Sequence, residues 1–99
     1  TISDLGFAAT ARGRPMVKPL VFTKHASAVM RERQIALEWI ERTVLSPQWL
    51  EPDPDNAPAQ RRFGRVLERD GRYLRVVCVE TATEIRILTA FLDRGARPK

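Results

Sequence analysis

Residues for the familiar kinds of chemistry are scarce in these 99 residues. There is one cysteine, Cys78, so no disulfide can close within the chain, and a single histidine leaves no Cys/His set with structural-zinc spacing. A reducing, cytoplasmic setting is the expectation. No apolar run approaches the roughly 18 residues of a membrane span. The opening TISDLGFAATARGRP lacks the continuous apolar core of a secretory signal, so neither a membrane anchor nor export is expected. Glycine-rich phosphate loops are missing too: there is no P-loop and no GxGxxG, and no nucleotide cofactor is expected. No serine or cysteine nucleophile has a visible partner, which argues against covalent catalysis.

Arginine is what the chain has in abundance. Fourteen of its seventeen cations are arginine, and the net charge is +5. Residues 1–25 carry four basic groups and one acid, residues 26–60 three against six, and residues 61–99 ten against five. The C-terminal third is therefore the basic part. A planar guanidinium suits phosphate and stacks on bases, so an anionic partner, RNA before DNA, is one reading. An arginine-rich proteome from a GC-rich genome is the other.

With 43% apolar residues the chain has material for one small domain. Met16 opens the segment MVKPLVFTKH, so residues 1–17 are expected to be an extension, 18–92 the domain and 93–99 a flexible tail. KPLVFT (18–23) is expected to form a strand that delivers Thr23 as a helix N-cap. From Lys24 to Arg33 the apolar residues Ala26, Val29 and Met30 fall at helical spacing, and Leu37, Ile40 and Val44 form the stripe of a second helix that Ser46-Pro47 ends. EPDPDNAPAQ (51–60), with three prolines and three acids, is expected to be an extended loop. Glu51, Asp53 and Asp55 do not make it a calcium loop, because no glycine bends it.

After Arg61 the pattern becomes that of strands. RRFGRVLER and RYLRVVCVE flank Asp70-Gly71, a pair suited to the positive φ angles of a two-residue turn, and EIRILTAFL (84–92) supplies a third strand. The register this turn implies pairs Leu67 with Leu74 and Phe63 with Cys78; a turn at Ala82-Thr83 pairs Cys78 with Ile87 and Leu74 with Phe91. One face then collects Phe63, Leu67, Leu74, Val76, Cys78, Ile85, Ile87 and Phe91 as the core. The other collects Arg62, Glu68, Tyr73, Arg75, Arg86 and Leu88. Guanidinium groups beside an aromatic ring would suit a single-stranded nucleic acid. The same face reads equally as the solvated side of an antiparallel sheet.

Cleaving RNA without a metal needs a base, an acid and cations for the charge that grows on phosphorus. His25, in the first turn of the first helix, is the one side chain suited to proton exchange near neutral pH. Arg33 or a sheet arginine would hold the phosphate, with Tyr73 as weak acid or stacking platform. An ordinary, exposed helix histidine is the alternative for His25.

KHASAVMRERQI, an amphipathic helix ending in LSP, a hairpin and the strand IRILTAF resemble, over about residues 20–92, a family of small bacterial domains of unknown function, number 4258. That family opens on a His-Ala…Arg-Met…Arg-Gly-Ile signature and is grouped with RelE-like and BrnT-like toxin nucleases. The resemblance implies an α+β, RelE-like fold: two N-terminal helices on one face of an antiparallel sheet of three to four strands. It also implies a ribonuclease or RNA-binding role, and an antitoxin protein as partner. His25, Ala26, Met30, Arg33 and Ile35 match the signature, and Thr89 matches a threonine of the last strand. Two positions depart from it. Val29 stands where the signature has an arginine four residues after the histidine, and Gln34 where it has glycine. Arg33, about 80° around the helix from His25, replaces the missing arginine only in part. A non-catalytic binding or protein-interaction module is the rival reading.

Overall fold

In a computed structural model that describes residues 18–98, two helices lie on one face of a five-stranded sheet. The expected N-terminal extension, 1–17, lies outside the described residues. Strand β1 (Leu20–Phe22) delivers Thr23 in extended conformation, and its Oγ1 accepts the Ala26 N–H at 3.0 Å, capping helix α1 (Lys24–Glu32). The helix buries Ala26 and Val29. It ends at Arg33, where Gln34 turns left-handed (φ 55°) and two reversed hydrogen bonds close the end: Gln34 N to Arg31 O at 3.3 Å and Ile35 N to Met30 O at 2.9 Å. Ile35 and Met30 both join the core there. Helix α2 (Leu37–Leu45) follows at once and buries Ile40, Thr43 and Val44.

Four more strands complete the sheet: β2 (Trp49–Pro52), β3 (Gln60–Val66), β4 (Arg72–Glu80) and β5 (Ile85–Asp93). Their order is β1-β5-β4-β3-β2, with β1 parallel to β5 and every other pair antiparallel. The α+β class and the helix-covered face are as expected. The sheet differs, being mixed and five-stranded instead of antiparallel with three to four strands. β1 lies in the segment expected to be a strand, but its parallel pairing was not expected, and β2 is the added strand; both are short edge strands whose partners are remote or unobvious in sequence. β1 pairs with residues some 65 positions on, and β2 takes Glu51 and Pro52 out of the expected loop; a proline is tolerated on a sheet edge.

The register of β3 differs as well. Leu67–Arg69 form a turn of 3-10 helix before Asp70 (φ 59°) and Gly71 (φ 72°), so the connection is five residues long and Val66, not Arg69, faces Arg72. An odd offset of three reverses the faces of β3. Arg62, Gly64 and Val66 turn towards the helices, and Phe63 lies on the open face opposite Arg75. In β5 the pairing Cys78 to Ile87 is as expected, but Leu88 is an extra residue. Beyond this bulge Ala90 and Leu92 face the core while Thr89 and Phe91 face outward.

The core therefore joins Ala26, Ile35, Ile40 and Val44 to Val66, Leu74, Val76, Cys78, Ile85, Ile87 and Ala90. Phe91 and the exposed Leu67 are not part of it, and Phe63 is buried as expected, at 3% exposure, but on the opposite face, under Trp49. The expected tail starts inside β5. Asp93 is its last residue, Asp93 Oδ1 accepts the Gly95 N–H at 2.9 Å, and Ala96 is buried. Among the described residues, no helix is long and apolar enough to cross a membrane.

Candidate functional site

Three turns meet at one end of the sheet: the end of α1, the 3-10 turn before β4, and the chain leaving β5. Between them lies an open cleft of about 500 Å³ lined by Arg33, Ile35, Arg69, Arg72, Phe91, Leu92 and Arg94. The left-handed turn at Gln34 presents its carbonyl to Arg69 Nη1 at 3.4 Å, and the Arg69 guanidinium stands 5.9 Å from the Trp39 ring centre. Arg33 donates to Ala90 O at 3.1 Å, beyond the point where β1 stops covering the β5 edge, and stands 5.8 Å over Phe91. Arg72 and Arg94 are exposed, and no described residue bonds to their side chains.

Charge pairing divides the arginines into two groups. Arg42, Arg61, Arg62, Arg75 and Arg86 each have a carboxylate partner. Among the described residues Arg31, Arg33, Arg65, Arg69, Arg72, Arg94 and Arg97 have none, and four of those seven line the cleft. No acid lines it. Four guanidiniums thus stand around the apolar Ile35, Phe91 and Leu92.

The residues singled out from sequence are scattered. His25 is exposed in the first turn of α1, and Arg33 caps the other end, about 12 Å away at 1.5 Å per residue. Val29, on the helix between them, is 4% exposed. Arg62 sits on the helix face, not the open one: its guanidinium donates to Val44 O at 2.8 Å, to Gln60 at 3.1 Å and to Glu80 at 2.6 Å, and Lys18 reaches the other Glu80 oxygen at 2.7 Å. The Glu80 carboxyl is held below the usual range by its hydrogen bonds from Lys18 and Arg62. Buried and ion-paired, Arg62 is a structural cation.

Tyr73, Arg75, Arg86 and Thr89 do lie on the open face. There Trp49 stacks on Phe63 with ring centres 4.6 Å apart and meets the Tyr73 edge at 5.3 Å. The Arg75 guanidinium lies 5.8 Å from the centre of Phe63 and 4.6 Å from that of Phe91, and pairs with Asp93. Burial pushes the Asp93 carboxyl up, but the hydrogen bonds from Arg75 and the Gly95 N–H outweigh it and hold it below its ordinary value. Arg86 is paired with Glu84 at 2.9 Å. The charges of Arg75 and Arg86 are thus already answered within the fold. Thr89, on β5, is half-buried opposite Val77.

Other chemistries find little. Burial raises the Cys78 thiol, which sits fully inside the core. Among the described residues no three His, Cys, Asp or Glu side chains are grouped to hold a metal ion. Asp53 instead closes its own loop, accepting the Asp55 N–H at 2.9 Å and facing Arg61 at 3.7 Å. The roles of Arg69, Arg72 and Arg94 were hidden in sequence. Their only signal was the basic C-terminal third, which does not tell a paired arginine from an unpaired one.

Fold and cleft together define a small α+β domain with a cluster of unpaired arginines at one end of its sheet. A family model described as "Domain of unknown function (DUF4258)" matches residues 22–92, and the chain belongs to that family. No curated protein and no solved structure matches it significantly.

Proposed function

We propose that the domain binds single-stranded RNA through the arginine cleft, on a fold of the RelE-like toxin class. The observation behind this is that Arg33, Arg69, Arg72 and Arg94 converge on one cleft without a carboxylate among them. Such a cluster gains far more from a phosphate chain than from water, because each phosphate bound also releases condensed counterions.

Binding is better supported than cleavage. Arginine stays protonated at any working pH, and among the described residues the lining holds no histidine, carboxylate or tyrosine to exchange a proton. His25 stands at the far end of α1. In a toxin pair, an acidic antitoxin segment would cover the same four arginines.

Fluorescence anisotropy with a labelled single-stranded RNA tests this reading. At about 0.7 per phosphate contact, and with room for one or two phosphates, log affinity should fall with log salt at a slope of roughly −0.7 to −1.4. The double variant Arg69→Ala/Arg72→Ala should weaken binding and flatten that slope by about 0.7, one phosphate contact. Arg86→Ala should leave both unchanged. Binding indifferent to salt, or lost equally in Arg86→Ala, sinks the assignment of the cleft. RNA cleavage in chelator that disappears in His25→Ala would restore the ribonuclease reading.

A further inference from the structure

Charge density in the cleft goes further than RNA binding as such. A volume of about 500 Å³ is roughly 8 Å across and open, so only one or two phosphates of a chain fit among the four guanidiniums. Internal phosphodiesters carry one negative charge each. Two of them would leave half of the arginine charge unanswered, in a site whose floor is Ile35, Phe91 and Leu92 and whose lining offers no carboxylate. A terminal phosphomonoester carries about −1.5 to −2 at neutral pH on a single phosphorus. A 5′-triphosphate places still more charge within the same span.

Base recognition has little foothold there. The Phe91 ring already carries the Arg33 guanidinium at 5.8 Å and that of Arg75 at 4.6 Å. The Gln34 and Ala90 carbonyls, which a base N–H could otherwise reach, already accept from Arg69 and Arg33. What stays uncommitted is the pair Arg72 and Arg94, both exposed.

Resting on the RNA-binding reading, we propose that the cleft receives the 5′-phosphorylated end of an RNA strand, with Arg72 and Arg94 closing on the terminal phosphates and the bases leaving the cleft unread. Arg33 and Arg69, each anchored to a backbone carbonyl, form the fixed half of the clamp. The bidentate fork of arginine suits a phosphoryl group with several free oxygens.

The experiment compares one 3′-labelled ten-nucleotide RNA carrying a 5′-hydroxyl, a 5′-monophosphate or a 5′-triphosphate, by anisotropy at 0.15 M salt. Affinity should rise in that order, with the triphosphate at least tenfold above the hydroxyl. Exchanging the first two bases should change it less than twofold. Arg72→Ala/Arg94→Ala should erase the preference for the phosphorylated end at an unchanged melting temperature, since neither side chain bonds to a described residue. Equal affinity for the three ends overturns this inference and leaves RNA binding standing. No affinity for any of them overturns both.

Discussion

Gln34 is a non-glycine residue held at φ 55°, where a Cβ crowds its own carbonyl. The turn keeps it there because two hydrogen bonds close α1 and Ile35 is drawn into the core. Gln34→Gly should therefore stabilise the domain by about 0.5–1 kcal/mol, the relief of the left-handed strain less the added freedom of the unfolded chain. A rise in the urea midpoint without a change in slope would show it; a fall would mean that the Gln34 side chain makes a compensating contact. The turn also bears on the site, since it aims the Gln34 carbonyl at Arg69. Val29 belongs to the same scale. At 4% exposure it is buried at the position, four residues after His25, where the resemblance implies an arginine.

Two irregularities decide the faces of the sheet. The 3-10 turn at Leu67–Arg69 moves β3 by three residues, and the bulge at Leu88 moves the end of β5 by one. The first places Gly64 beneath α2, where an added Cβ would lie 2.6 Å from Thr43 Oγ1. Gly64→Ala should cost about 1–3 kcal/mol, as overpacking does. Adding Thr43→Ala should recover part of that loss, giving a coupling of at least about 0.5 kcal/mol in a double-mutant cycle read by thermal melting. Strict additivity would mean that α2 does not rest on β3 at this point. The second irregularity turns Phe91 outward, under Arg33 and Arg75, and so forms the floor of the cleft.

For the molecule as a whole, acid is the expected weakness. Asp53, held low mainly by the Asp55 N–H, Glu80, held low by Lys18 and Arg62, and Asp93, held low by Arg75 and Gly95 against its burial, all keep their charge to lower pH when folded than when unfolded. As pH falls, the unfolded chain takes up protons first. The stabilisation is therefore complete above about pH 5 and is lost progressively as pH drops through 4 and below. Melting temperature should be flat from pH 7 to 5 and fall steeply towards pH 3. Asp93→Asn should lower the plateau and shallow the fall, and an unchanged acid limb in that variant would remove Asp93 from the account.

Local chemistry was readable along the chain wherever a local rule governs it. Thr23 had to cap a helix, the apolar spacing of 26–30 and 37–44 had to bury one side of two helices, and Asp70-Gly71 had to turn left-handed. Leu74, Val76, Cys78, Ile85 and Ile87 share the core because alternation is a property of each strand alone. Only the tertiary structure decided how the strands meet. Register depends on how many residues the turn consumes, and a count wrong by an odd number exchanges the two faces of β3, carrying Arg62 inward and Phe63 outward. It also decided which arginines find a carboxylate, a question of distances between residues tens of positions apart. Arg33, Arg69, Arg72 and Arg94 are charged by their chemistry, but they form one cleft only because three chain ends and turns meet there with their acids, Glu32, Glu68, Asp70 and Asp93, outside its lining.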